Sequence, residues 1–194
     1  MTNRSIAWRH PDWLCAFAGA ALLAACDRAT PAADPAQVEG PSSMKLTSNA
    51  FEDGQSLPAE FTCDGVGRSP ELQWSEPPAG TQSFALVVED PDAPHGPFGH
   101  WGVYDIPMDA RQIDTGAAAS GPGRLKQATN DFGEPGYGPP CPPRGDPPHH
   151  YHFRLMALDL PKLGRTPANV EAIFDAGNHH LLASAQVVAL YARK

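Results

Sequence analysis

The sequence predicts a mainly β (α+β) domain, and three features of it carry that reading. Twenty-two prolines and 18 glycines against a modest charge content favour a loop-rich sheet protein over a helical bundle. Residues 83–89 contain a short apolar run, Phe84 to Val88, bounded by polar and turn residues, as in a buried strand. Residues 149–158 alternate, with His149, Tyr151, Phe153, Leu155 and Ala157 on one face. His150, His152, Arg154, Met156 and Leu158 take the other face, toward solvent or a neighbouring layer.

In chain order, residues 44–50 and 60–63 are expected as short strands around the turn-prone Asp53-Gly54, with Cys63-Asp64-Gly65 as a further turn. Residues 71–74 alternate like a half-buried strand before the Pro77-Pro78-Ala79-Gly80 loop. Strand 83–89 then delivers Asp90 to a loop stiffened by Pro91 and Pro94, whose fixed φ keeps their neighbours out of helix. The chain returns through a second strand, 100–106. Residues 108–148 read as loop, and a loop that long in a compact domain is usually functional. Within it, Asn130-Asp131-Phe132-Gly133 and residues 137–143 suggest a rigid, proline-braced wall. Residues 168–176 have the spacing of an amphipathic helix, with Gly177-Asn178 as a stop. The β-branched pair Val187-Val188 tilts residues 183–192 toward strand.

Upstream of the domain, Arg4 and Arg9 precede an apolar stretch, 13–25, that ends in Leu23-Ala24-Ala25-Cys26. It falls short of the roughly 20 residues a helical span requires, and small residues before Cys26 suit a signal peptidase. The pattern resembles a bacterial lipoprotein signal. That implies cleavage before Cys26, acylation of Cys26 by chains such as palmitate, and an anchored, periplasm-facing protein on the inner or outer membrane. The expected organisation is a signal peptide at 1–25, a flexible Ala/Pro-rich tether at 26–42 and one folded domain at 43–194. Cys63 and Cys141 are then the thiols left in the mature domain. Either they bridge, closing a loop of roughly 80 residues and contributing about 4 kcal/mol, or they pack separately as small apolar groups. A net charge of −8, with no Lys/Arg cluster, excludes non-specific nucleic-acid binding.

The chemistry gathers at the strand ends. Asp90 and His100 are expected side by side at the mouths of two adjacent strands, where titratable groups usually act on something. His149 and Tyr151 are expected at the core-side rim of a third. Two imidazoles and a phenol can donate hydrogen bonds to phosphate oxygens, while a nearby carboxylate fixes a histidine tautomer. Because it repels anions, Asp90 is expected to orient His100 or to meet an ammonium or hydroxyl of a ligand. The sequence has no Gly-x-Ser-x-Gly elbow, no His-Glu-x-x-His and no Gly-x-x-x-x-Gly-Lys. No catalytic residue, metal or cofactor is therefore assigned.

Asp90-Pro91-Asp92-Ala93-Pro94, His100 before an aromatic, Gly138-Pro139-Pro140-Cys141-Pro142-Pro143 and His149-x-Tyr151 together resemble the phosphatidylethanolamine-binding protein family, in its bacterial Raf kinase inhibitor-like branch. The likeness runs over about residues 44–193. It implies a large antiparallel sheet packed on a smaller one, helices toward the C-terminus and a small anion pocket. By that resemblance Asp90, Asp92, His100, His149 and Tyr151 are pocket residues, with Pro94 and Pro142 shaping the rim. His150 departs from the family, which commonly has arginine there; its contact with a ligand phosphate or a pocket carboxylate would make binding pH-dependent near neutrality. The expected function is binding of a small anion: phosphate, a phosphorylated ligand or a phospholipid head group. The alternatives are regulation of a partner protein through the pocket rim, and acid–base hydrolysis by Asp90, His100 and His149.

Overall fold

The computed structural model describes residues 44–119 and 125–194. The predicted signal peptide 1–25, the lipidation site Cys26 and the tether 26–42 lie outside the described residues. The elements are strands β1 (Leu46–Thr47), β2 (Gln55–Ser56), β3 (Leu72–Trp74), β4 (Ser83–Asp90), β5 (Phe98–Pro107), β6 (Gln112–Ile113), β7 (Lys126–Gln127) and β8 (His149–Leu158), helix α1 (Val170–Asn178) and strand β9 (Leu181–Tyr191). A six-stranded sheet has the order β2-β9-β8-β4-β5-β7, and a three-stranded sheet the order β1-β3-β6. All pairings are antiparallel except β2 with β9.

Burial on both faces explains why β4 is apolar without alternation. Phe84, Leu86 and Val88 join Trp101, Phe153 and Leu155 in a core closed by Leu46, Leu72, Trp74 and Ile113 of the small sheet. Ala85 and Val87 face the other way, onto Met156, Leu158 and the α1 residues Val170 and Ile173. The central strand thus lies between a sheet and a helix. On β8 the predicted alternation has two regimes: His150 is exposed, whereas Met156 and Leu158 on the same face are fully buried beneath α1.

Several expectations change. Residues 60–63 form no strand; after Pro58 the chain turns through a 3-10 helix, Ala59–Phe61, with Phe61 and Thr62 N–H donating to Pro58 and Ala59 carbonyls at 3.0 Å. Proline presets the φ of such a turn, and local bonding outcompetes extension. The strand expected over 44–50 contracts to Leu46–Thr47, because Ser48 Oγ turns back to accept from Ala50 N–H at 3.1 Å. Among the described residues there is one α-helix, where the resemblance implied helices. Asn169 caps it, its side chain accepting from Ala172 N–H at 3.0 Å. Gly177 does not stop the helix. It lies within α1, packed against Met156, where a Cβ would come 2.9 Å from the flexible Met156 Cε.

Gly99 on β5 is more strictly constrained, since a Cβ there would lie 2.7 Å from Cβ of the buried Val170. Val170 is β-branched and stiff. Gly99→Ala is therefore expected to cost about 1–3 kcal/mol, the usual range for overpacking a filled core. Urea denaturation measures this, and an unchanged midpoint would mean that α1 is not seated on β5 in this way.

Candidate functional site

The polar chemistry begins where β4 runs out. Asp90 is 4% exposed, so its carboxylate must find donors inside the protein. One oxygen accepts from Asp92 N–H at 2.9 Å, and the other from His149 Nδ1–H at 2.8 Å. The first bond shapes the loop after β4, and the second ties that loop to the start of β8. Sequence reasoning paired Asp90 with His100; the structure pairs it with His149, which the β4–β8 register brings to the same end of the sheet. Asp146 adds a carboxylate oxygen 3.7 Å from His149 Nε2.

His100 is held from the opposite side of the pocket. Its Nδ1 lies 2.7 Å from the Gly138 carbonyl, and Gly138 N–H donates to the His100 carbonyl at 2.7 Å. A carbonyl only accepts, so Nδ1 carries the hydrogen and Nε2 is the remaining acceptor. Burial lowers the His100 pKa, and the Gly138 bond and the Asp90 and Asp131 charges only partly oppose it. The ring is thus held neutral. Tyr151 stands edge-on to His100 at 5.2 Å between ring centroids. Its phenol is pushed far above its ordinary pKa, first by burial and next by the Asp90 charge, so it remains a donor. That hydroxyl is buried and makes no well-formed hydrogen bond among the described residues; the Asp90 carboxylate is near enough to favour the protonated phenol without meeting hydrogen-bond geometry.

These groups line a cavity of about 240 Å³. Of the residues singled out in the sequence, Asp90, Pro94, His100, Pro142, His149 and Tyr151 all border it. Asp92 does not. Its carboxylate accepts from both N–H (2.8 Å) and Nδ1–H (2.7 Å) of His150, bonds that hold its pKa below the usual range. Asp92 therefore braces the loop against β8, and the residue that departs from the family pattern, His150, is spent on that brace. The sequence faced His150 away from His149 and left open its contact with a ligand phosphate or a pocket carboxylate; the contact is with the Asp92 carboxylate.

The apolar side of the cavity is formed by Phe98, Phe132 and Pro143, the last two within the stretches expected to form a wall, with Phe98, which was not singled out, edge-to-face to Phe132 at 4.7 Å; His95 also lines the cavity. Asn130 shapes the turn that presents Phe132, its side-chain oxygen accepting from Phe132 N–H at 3.0 Å and Glu134 N–H at 3.2 Å. Gly138 must be glycine here, because a Cβ would overlap the Phe132 ring. A disulfide joins Cys63 to Cys141 with Cα atoms 5.4 Å apart, an ordinary separation. Together with Cys63 N–H donating to Pro140 O at 3.0 Å and Tyr137 O–H to Phe61 O at 2.9 Å, it ties the 137–142 wall to the turn after Pro58. No cluster of three or more His, Cys, Asp or Glu able to hold a metal ion occurs among the described residues.

The chain matches the family model described as phosphatidylethanolamine-binding protein over residues 47–192. It is 43% identical over 153 residues to a UPF0098 protein of Aquifex aeolicus, covering 77% of this chain and 89% of that one. The crystal structure of Escherichia coli YbcL, titled a new member of the mammalian PEBP family, aligns with a TM-score of 0.74 at 34% identity, covering 79% of this chain and 100% of that one. A second crystal structure, of the PEBP homologue CT736 from Chlamydia trachomatis, aligns with a TM-score of 0.68 at 35% identity, covering 78% and 99%.

The depressed His100 pKa has a consequence for stability. An unfolded chain takes up the histidine proton near 6.5, whereas the folded chain does so only at lower pH. The unfolded state therefore binds more protons in that window, and stability falls as pH drops from about 6.5 toward the folded value. Urea midpoints at about pH 7.5 and 5.5 should fall further for the wild type than for His100→Gln. Equal falls would show that His100 does not titrate differently in the two states.

Proposed function

The chain belongs to the phosphatidylethanolamine-binding protein family, and from the geometry of its pocket we propose that the domain binds a small anion. The ligand is phosphate, a phosphorylated small molecule or a phospholipid head group. The observation that carries this reading is the buried, unpartnered hydroxyl of Tyr151, set in one cavity with His100 and His149. A buried donor left unpaired costs about 1–3 kcal/mol, and an oxyanion reaching it would offset that cost. Apolar walls from Phe98, Phe132 and Pro142 strengthen such a bond by keeping the local dielectric low, and they suit the organic part of a phosphorylated ligand. The name of the family points to the same ligand chemistry. Asp90 is the group an anion would avoid. Its two hydrogen bonds, to Asp92 and His149, spread its charge into the framework.

Thermal unfolding of the purified chain with phosphate, phosphoethanolamine and a short-chain phosphatidylethanolamine tests the reading. Ligand at one hundred times its dissociation constant stabilises by about 2.7 kcal/mol. Tyr151→Phe is expected to leave the unliganded midpoint unchanged or raise it, since no hydrogen bond is lost, while reducing the ligand-induced shift. His149→Ala should abolish the shift. If none of the three ligands moves the wild-type midpoint at millimolar concentration, the domain is not an anion binder of this kind.

The same reading includes export and anchoring of the chain through lipid on Cys26, supported by the Leu23-Ala24-Ala25-Cys26 sequence after a short apolar stretch. Cys26→Ser is expected to shift the protein from the membrane to the soluble fraction of an expressing bacterium and to remove the acyl mass from its N-terminal peptide. Wild-type protein recovered wholly in the soluble fraction without acyl mass would refute the anchor.

A further inference from the structure

Hydrogen positions in the pocket set a condition on its ligand that the anion-binding reading, on which this inference rests, does not itself contain. A fully ionised phosphate offers only acceptors. Facing it, the Tyr151 hydroxyl is a donor without another partner. His100 is not, because its one hydrogen sits on Nδ1 and is committed to the Gly138 carbonyl at 2.7 Å, leaving a lone pair on Nε2. His149 Nδ1–H is committed to Asp90 at 2.8 Å, and its Nε2 lies 3.7 Å from the Asp146 carboxylate. An oxyanion brought against a lone pair is repelled unless a proton lies between them.

We infer that the pocket takes up its anion together with one proton, shared between a ligand oxygen and His100 Nε2, and so favours inorganic phosphate and phosphomonoesters over phosphodiesters. A monoester has a second ionisation near pH 6 and can bring the proton as P–OH, and inorganic phosphate keeps a P–OH even as HPO4²⁻. A diester has no such proton and requires the buried imidazole to be charged outright.

The groups around His100 are consistent with a proton that arrives only with the ligand. From β4 the Asp90 carboxylate favours it, and from the 130–138 loop so does Asp131, while the Gly138 carbonyl holds Nδ1–H. From β8, His149 opposes it. The Tyr151 ring on β8 and the Phe98 and Phe132 rings stand within 5.1 to 5.5 Å of the imidazole, between centroids, and exclude water from it. Burial is the largest of these effects and keeps the unliganded ring neutral. An anion adds a negative charge beside Nε2 in a low-dielectric pocket, which raises the proton affinity of that nitrogen.

Isothermal calorimetry on the purified full-length chain decides this, with inorganic phosphate, phenyl phosphate and methyl phenyl phosphate as probes. Titrations run at about pH 7.5 in buffers of different ionisation enthalpy, and then across a pH series. The expected result is uptake of close to one proton per phenyl phosphate bound, whose dianion has only acceptors, and much less per inorganic phosphate, whose HPO4²⁻ form already carries a P–OH. Affinity for phenyl phosphate should then fall by up to about tenfold per pH unit above neutrality, and the diester should bind at least tenfold more weakly than the monoester. His100→Gln, whose amide donates without being protonated, is expected to bind with no proton uptake and a flat pH profile. Wild-type binding of phenyl phosphate without proton uptake, or equal affinity for monoester and diester, would overturn the inference while leaving anion binding intact. Binding of none of the probes would remove the anion-binding reading and this inference with it. Because the wild-type titrations decide the matter, a His100→Gln protein that failed to fold would not rescue a negative result.

Discussion

The buried hydrogen bond between Asp90 and His149 is the interaction on which the site depends. It follows from β4, which is covered by a sheet on one face and a helix on the other and must be apolar along its length. Polar chemistry is pushed to the end of that strand. There Asp90 is still inside the protein, and a carboxylate inside the protein must be satisfied. Its two acceptor bonds bend the following loop through Asp92 N–H and align the imidazole of His149 on the neighbouring strand. One buried carboxylate thereby sets the loop, the ring and the mouth of the cavity.

The opposite wall is built by other means. His100 and Gly138 exchange bonds in both directions, which fixes the ring and the loop against each other. The disulfide and the bonds of Cys63 and Tyr137 then hold that loop to the turn after Pro58, far away in sequence. Phe132 closes the cavity only because Gly138 has no side chain to displace it. The result is a small cavity with an apolar rim and polar groups converging at its base, which is how sites for small molecules are generally built. Water exclusion gives the few polar atoms their effect: the same walls that depress the His100 pKa would strengthen any hydrogen bond made to a bound ligand.

Much of this frame was legible in the chain. The run Phe84–Val88, too short for a buried helix and bounded by polar and turn residues, reads as a strand covered on both faces, and the alternation of His149 to Leu158 located β8 to the residue. Six of the seven pocket residues singled out border one cavity because strands 83–89, 100–106 and 149–158 are adjacent in the sheet and end at the same edge. Asp92, assigned to the pocket by the family resemblance, turns its carboxylate to His150, while Asp90 meets His149. Local propensity misled at 60–63, where Thr62 Oγ1 bonds to the Ala59 carbonyl at 2.9 Å and supports a turn. The burial of Met156 and Leu158 was invisible because it depends on where α1 lands.

By itself the sequence determined the class of fold, the strands that carry the chemistry and the residue types available at their ends. Those follow from hydrophobic pattern and backbone restriction, which are local. Only the tertiary structure decided which histidine meets Asp90, which nitrogen of His100 keeps a lone pair, and that the Tyr151 hydroxyl is left without a partner. Hydrogen bonds extend about 3 Å and depend on angle, so their pairing is set by strand register and loop closure between residues distant along the chain. His149 bonds across 59 positions and His100 across 38, distances over which composition and spacing say nothing about the direction of a proton.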